Sequence, residues 1–307
     1  MNDQSSLFRH REALRLSTAA GRPAALLVGA GLLRECGVGP LADWQTLLHC
    51  VADALDVPLD AGLSNTAPTL AWDCLMARCA AKHHEAAWKC ELRARAIVCG
   101  LVRDCEHALQ NGASAELAGR WLTRIGQWNL KAVVNLNFTP LPLCAADSSP
   151  TTEDHVHRYM NGSTPVWCMH GSAADAAHLR LGVIRYASLM RDFEKWRGAY
   201  RGLLGDATML DRQRPLATPG VHFVADVFES PIVIAGCGLK HAEWTLWWLL
   251  ASKARNEAQH KTCASRFVTA DRLNPSLRAM LSSVHCETVQ VSTHADVWTA
   301  VDFMLRR

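Results

Sequence analysis

A chain of 307 residues, 49% apolar and 20% charged, carries enough hydrophobic material for a large core, which excludes an intrinsically disordered protein. Its 32 Lys and Arg against 29 Asp and Glu leave a net charge of +3, too mild to mark a dedicated nucleic-acid or anionic-lipid surface. The 12 cysteines, spread through apolar surroundings without one C-x-x-C pair, argue against a disulfide scaffold or a structural zinc ribbon and for reduced, buried thiols.

Short aliphatic runs alternate with longer helical stretches. The first run, 24–28, reads as a buried strand entering a Gly29-Ala30-Gly31 turn and a helix start. About a hundred residues separate it from the next strand, far more than one crossover helix needs, so helical material is expected to be inserted. Within that insert Leu70, Cys74, Ala77 and Ala81 recur at helical spacing. Leu117, Trp121, Ile125 and Trp128 do the same after a Ser114 cap, and Asn111-Gly112 breaks the two. Both stripes are read as core. Further strands are predicted at 132–136, 166–169, 232–235, 266–269 and 287–291, most of them apolar on both faces as helix-covered parallel strands are. The polar segment 147–165 is expected to be a long loop and 188–204 an amphipathic helix. Thr293-x-x-Asp296, followed by Val297, Val301 and Met304, reads as a capping box opening a final helix. The pattern predicts a doubly wound α/β sheet. No apolar run approaches the roughly 18 residues that span a bilayer. The opening MNDQSSLFRHRE lacks the layout of a secretory signal, so a cytoplasmic location is expected.

Four places can carry chemistry. In AALLVGAGLLRECGVG the glycines permit a tight turn and the approach of a diphosphate, although a G-A-G turn without a third glycine is equally a plain strand-to-helix corner. KAVVNLNFTPLP delivers Asn135, Asn137 and Thr139 to the carboxyl end of a strand, where α/β proteins bind ligands, and where such side chains also simply cap loops. VWCMHGS ends a strand in His170-Gly171, a general base near neutral pH or a structural histidine. PIVIAGCGLKHAEWTLWWLLASKAR sets a second glycine turn, Gly236 and Gly238, before a helix carrying Glu243.

In this order and spacing the four pieces resemble the SIR2-like (sirtuin-fold) NADase family of bacterial anti-phage defence, in its abortive-infection branch. LRLGVIRYASLM, beyond the His-Gly, also looks like a stretch common after that motif. The resemblance runs from Ala24 to Leu250. It implies a single domain over 1–307, with a Rossmann-like core of 20–44 and 129–307 and a helical insertion at 45–128. It also implies an enzyme that cleaves the nicotinamide–ribose bond of NAD to nicotinamide and ADP-ribose, depleting NAD in the infected cell. Asn137 and His170 would be catalytic, Asn137 positioning the ribose and a water and His170 acting as base. Gly29, Ala30 and Gly31 would face the diphosphate, with Gly236 and Gly238 at the adenosine end. Asn135, Thr139, Gly171 and Glu243 complete the expected NAD-binding set. NAD is expected as substrate, without a metal, and control by self-assembly or a defence-system partner.

Two departures stand out. Leu33 occupies a place where the family often has serine, and Asn137-Phe138-Thr139 replaces an asparagine–aromatic–aspartate triplet. They keep open a catalytically silent NAD or ADP-ribose sensor. Absent zinc cysteines put protein deacylation behind both. Glu153-Asp154-His155-x-His157 is read as a solvated loop without a full ligand set. His83-His84-Glu85 is read as an exposed face. Arg191 with Lys195 and Arg197 with Arg201 form basic i,i+4 pairs, read as solvated, with a nucleic acid or acidic partner left open.

Overall fold

The computed structural model describes residues 23–38, 43–60, 62, 67–153, 156–205, 221–228, 230–239, 243–260 and 265–306. Strand β1 (Ala24–Val28) leads into a short helix, α1 (Gly31–Glu35). Four helices follow, α2 (Trp44–Ala54), α3 (Pro68–His83), α4 (Ala87–Gln110) and α5 (Gly112–Gly126), before β2 (Leu130–Asn135). Then come β3 (Thr151–Glu153), β4 (Val156–Asn161), β5 (Thr164–Cys168), a 3-10 turn at Ala176–His178, α6 (Val183–Gly205) and α7 (Val221–Phe228). The chain continues through β6 (Ile232–Ala235), α8 (Trp244–His260), β7 (Ser265–Thr269), α9 (Pro275–Ser283), β8 (Cys286–Gln290) and α10 (His294–Leu305).

The eight strands among the described residues form one sheet in the order β3-β4-β5-β2-β1-β6-β7-β8. The six from β5 to β8 pair in parallel, and β3 and β4 add an antiparallel edge. Chain order across the parallel part is that of a doubly wound, Rossmann-like sheet. It steps outward from β1 through β2 to β5, then returns to lay β6 on the other side of β1. Every residue of β1 is buried because both faces are covered. Leu26 and Val28 point to a core shared with Trp121, Trp128 and Trp298, and Ala25 and Leu27 to one shared with Phe193, Phe223 and Leu246. This period-2 division between two helical layers is why the sequence shows continuous apolar runs instead of alternation. A third cluster joins α2, α3 and α4 through Leu47, Trp72, Leu75 and Val98, and reaches Phe138 and Leu179 beside the sheet.

Three expectations are corrected. The segment 147–165 holds β3, β4 and the start of β5. An Asn161-Gly162-Ser163-Thr164 hairpin turn, with Gly162 at φ +58, joins β4 to β5. Polar residues misled because this is a sheet edge, where charged and polar side chains are tolerated. The stripe Leu70, Cys74, Ala77 and Ala81 does lie on a helix but faces outward, with Leu70 48% exposed. The bulkier Trp72, Leu75, Met76 and Cys79 take the buried side. On α5 the Trp121 and Ile125 stripe is core as expected, yet the helix begins at Gly112, so Ser114 lies inside it and is not its cap. The Thr293–Asp296 capping box is present. No described helix is long and apolar enough to cross a membrane. The described cysteines are all free thiols.

The C-terminal helix is tied to the entrance of β2. Arg124 Nε and Trp128 Nε1 donate to Asp302 Oδ1 at 3.0 and 2.8 Å, and the Asn129 amide donates to Leu305 O at 2.7 Å.

At the centre of the sheet the two glycine turns meet. Gly31 N donates to Gly236 O at 2.7 Å and Gly29 N to Ala235 O at 3.1 Å. A Cβ on Gly31 would lie 2.6 Å from Gly236 Cα, and one on Gly29 2.5 Å from Cys237 Cβ. Gly31→Ala is therefore expected to destabilise the protein by about 1–3 kcal/mol, as forced overpacking does. Gly100, inside α4, has nothing within 4 Å of an added Cβ. Gly100→Ala is expected to stabilise by about 0.5–1 kcal/mol. Urea unfolding of the two variants checks the opposite signs.

Candidate functional site

A doubly wound sheet opens a crevice where successive connections leave in opposite directions, here between the carboxyl ends of β1 and β6. A cavity of about 600 Å³ occupies that place. Gly29, Ala30 and Gly31 line it from β1, Asn137 from the loop after β2, His170 from the end of β5, and Gly236 and Gly238 from β6. Glu243 lines it from the position just before α8, outside the helix that was expected to carry it. Trp44 and Pro68, from the helices between α1 and β2, form another part of the wall. Eight of the eleven residues proposed from sequence thus share one cavity.

Asn135, Thr139 and Gly171 do not line it. Asn135 is fully buried and works through its neighbours. Its Oδ1 accepts from the Asn137 backbone amide and from Asn137 Nδ2, both at 3.0 Å, and its Nδ2 donates to Thr139 O at 2.6 Å. Thr139 turns away, donating to Glu106 Oε1 at 2.8 Å, and burial holds that carboxyl above the usual range despite this hydrogen bond. Gly171, at φ +85, is needed because a Cβ there would lie 2.3 Å from His178 O. Its glycine serves chain packing rather than a ligand.

The side chain of Asn137 is held by Asn135 and by Gly29 O, to which Nδ2 donates at 3.2 Å. Both amide hydrogens are thus used, and Oδ1 is the polar atom left to meet a ligand. His170 is 2% exposed and stacks on Tyr186, ring centroids 4.6 Å apart. Its Nδ1 lies 3.3 Å from Leu136 O and Nε2 lies 3.4 Å from Thr245 Oγ1. Donation from Nδ1 to the backbone carbonyl leaves the lone pair on Nε2, the tautomer of a neutral base.

The glycine turns carry less of a ligand's charge than their sequence suggests. The Gly31 amide is spent on Gly236 O and α1 is only five residues long, so the Ala30 amide is the N–H of this corner without a backbone acceptor among the described residues. Sequence reasoning missed Arg34, one turn beyond Gly31, which also lines the cavity. Charged residues are common after a helix start, so nothing marked it. Cys237 was also missed; burial pushes its thiol up to about 12, which disfavours the thiolate. Leu33, two residues beyond Gly31, is fully buried core.

No protein-family model matches the chain, and no curated protein matches it either.

Burial pulls the His170 imidazole from its ordinary 6.5 down to about 4. The unfolded chain therefore binds more protons between those values, so the stability this histidine contributes is complete above 6.5 and is lost as the pH falls toward 4. Relative to His170→Gln, which does not titrate, the wild type is expected to lose unfolding free energy across that window. Urea melts over a pH series measure it.

Proposed function

We propose that this protein is an NAD+ glycohydrolase that splits the bond between ribose C1′ and the nicotinamide nitrogen. The observation that supports this most is the convergence of Asn137 and His170, from two different strand ends, on the crevice bordered by both glycine turns. The cavity volume suits a nucleotide-sized ligand. In this reading the diphosphate lies along the Gly29-Ala30-Gly31 corner with Arg34 supplying positive charge, and Gly236 and Gly238 border the adenosine. Asn137 Oδ1 accepts from a ribose hydroxyl or the attacking water. The Trp44–Phe138 edge contact, 5.7 Å between ring centroids, gives the nicotinamide end an apolar wall.

As the C1′–N bond breaks, its electron pair passes to the pyridinium ring, which leaves neutral, and positive charge builds on the ribose. Water then adds to C1′, and its proton goes to His170 Nε2, from which Thr245 must turn aside. Orientation and a positioned base are the protein's main contributions. The helices between α1 and β2 act here as an inserted unit closing the crevice through Trp44 and Pro68. Depletion of NAD in an infected cell, held in check by self-assembly or a partner, is the biological output that the resemblance implies.

One observation favours a second reading, a sensor that binds NAD or ADP-ribose without cleaving it: both ring nitrogens of His170 are already engaged. Chromatography of NAD after incubation with wild type, Asn137→Ala and His170→Ala, with binding followed by calorimetry, separates the two. Release of nicotinamide that falls by about 10²- to 10⁴-fold in either variant is expected. Tight binding of NAD recovered intact, insensitive to His170→Ala, would establish the sensor. Absence of both binding and turnover would overturn both.

A further inference from the structure

Outside the crevice, His157 of β4 meets Asp175 and His178 of the loop between β5 and α6. One ligand atom from each, two imidazole nitrogens and a carboxylate oxygen, all lie within 4.8 Å of one another. Sequence placed His157 in a solvated loop. The structure corrects this: it sits on a strand at 1% exposure. We propose that this triad is a binding site for a divalent transition metal of the zinc class.

The donor set decides the class of ion. Two imidazoles and one carboxylate suit zinc and its first-row neighbours, whereas calcium and magnesium require oxygen cages and soft copper(I) prefers sulfur. Bonds of about 2.0–2.2 Å place two ligands of a tetrahedral zinc roughly 3.3 Å apart, so the triad closes on an ion by side-chain rotation. Three protein ligands leave the fourth position to water. Coordination would replace the hydrogen bond now joining His178 Nδ1 to Asp175 Oδ2 at 2.7 Å.

The surroundings are built as supports for such a site. Ser172 Oγ lies 2.7 Å from His157 Nδ1 and 2.9 Å from the Tyr159 hydroxyl, and serine and tyrosine are both buried. With Nδ1–H donating to Ser172, the lone pair of His157 is on Nε2, the nitrogen left for a metal. A ligating histidine ordinarily has its other nitrogen fixed in this way. The loop is pinned independently, since Arg95 donates to Ala177 O at 3.0 Å and the Arg180 amide to His170 O at 2.9 Å. Asp175 also caps the 3-10 turn by accepting from the Ala177 amide at 2.8 Å. A metal here would cross-link the antiparallel edge of the sheet to the loop that follows His170.

A second cluster, Cys79, Glu85 and Cys90, has metal-ligating chemistry too. There a cation is already in place: Arg93 bonds Glu85 and lies 3.5 Å from Cys79 Sγ and 3.9 Å from Cys90 Sγ. It serves as the control.

The test uses untagged full-length protein, stripped with a chelator and titrated with zinc by calorimetry and with cobalt(II) by absorption. Wild type is expected to take up a single equivalent of zinc, to melt at higher temperature with it, and to give a cobalt spectrum without thiolate charge transfer. His178→Ala should abolish uptake, and Ser172→Ala should weaken it by about 10- to 100-fold. Cys90→Ser should leave it unchanged. Asp175→Asn, an isosteric change at a half-exposed carboxylate, should also weaken it and covers the case in which His178→Ala does not fold. No zinc uptake by wild type, uptake that survives both His178→Ala and Asp175→Asn, or loss on Cys90→Ser would overturn the proposal.

Discussion

The backbone of Gly31 rests directly on that of Gly236, and the arrangement of the crevice depends on this contact. Parallel strands β1 and β6 lie side by side, so the turns that leave them collide unless both lack side chains. Removing the Cβ atoms lets the two corners interlock and brings the ends of the central strands close together. The same contact consumes an amide that would otherwise face an anion. Glycine is thus required at these positions by the fold itself, whatever the crevice binds.

A second constraint is the fixing of polar groups before any ligand arrives. Asn135 is wholly buried at a strand end and uses both ends of its amide to set the loop that carries Asn137. His170 is set by a backbone carbonyl, a threonine hydroxyl and a stacked tyrosine ring. Such groups reorganise little, and in surroundings poor in water their dipoles act at greater strength than they would in solvent. The burial that fixes the imidazole also lowers its basicity. Strength of orientation and strength of base are therefore traded against each other at this residue.

Much of this was legible from sequence because the relevant signals are local. Doubly covered strands show as unbroken apolar runs, and β1 and β6 have the bounds read from them. Side chains at the carboxyl ends of parallel strands face one crevice, which is why Asn137, His170 and both glycine turns share a cavity wall. What escaped was decided by packing between distant segments. Thr139 looked like a crevice residue by position but turns toward Glu106, 33 residues earlier in the chain. Gly171 looked like a ligand approach but makes room for His178 O. On α3 an alanine-rich stripe had helical spacing, and the neighbouring face carrying Trp72 and Met76 took the core because it buries more apolar surface. The edge hairpin was hidden by its polarity, although Asn161-Gly162 was a legible turn signal.

The attachment of α10 to the start of β2 has a temporal consequence. Trp128 and Asp302 are 174 residues apart, yet their hydrogen bond helps to seat the strand that flanks β1. During synthesis the ribosome releases β1, the helices after it and β2 long before the last helix emerges. The nascent chain must therefore hold its second strand without its final brace, with apolar surface around Trp121 and Trp128 uncovered until Trp298 arrives to pack against it. The seating of β2 thus waits on a helix made some 174 residues later.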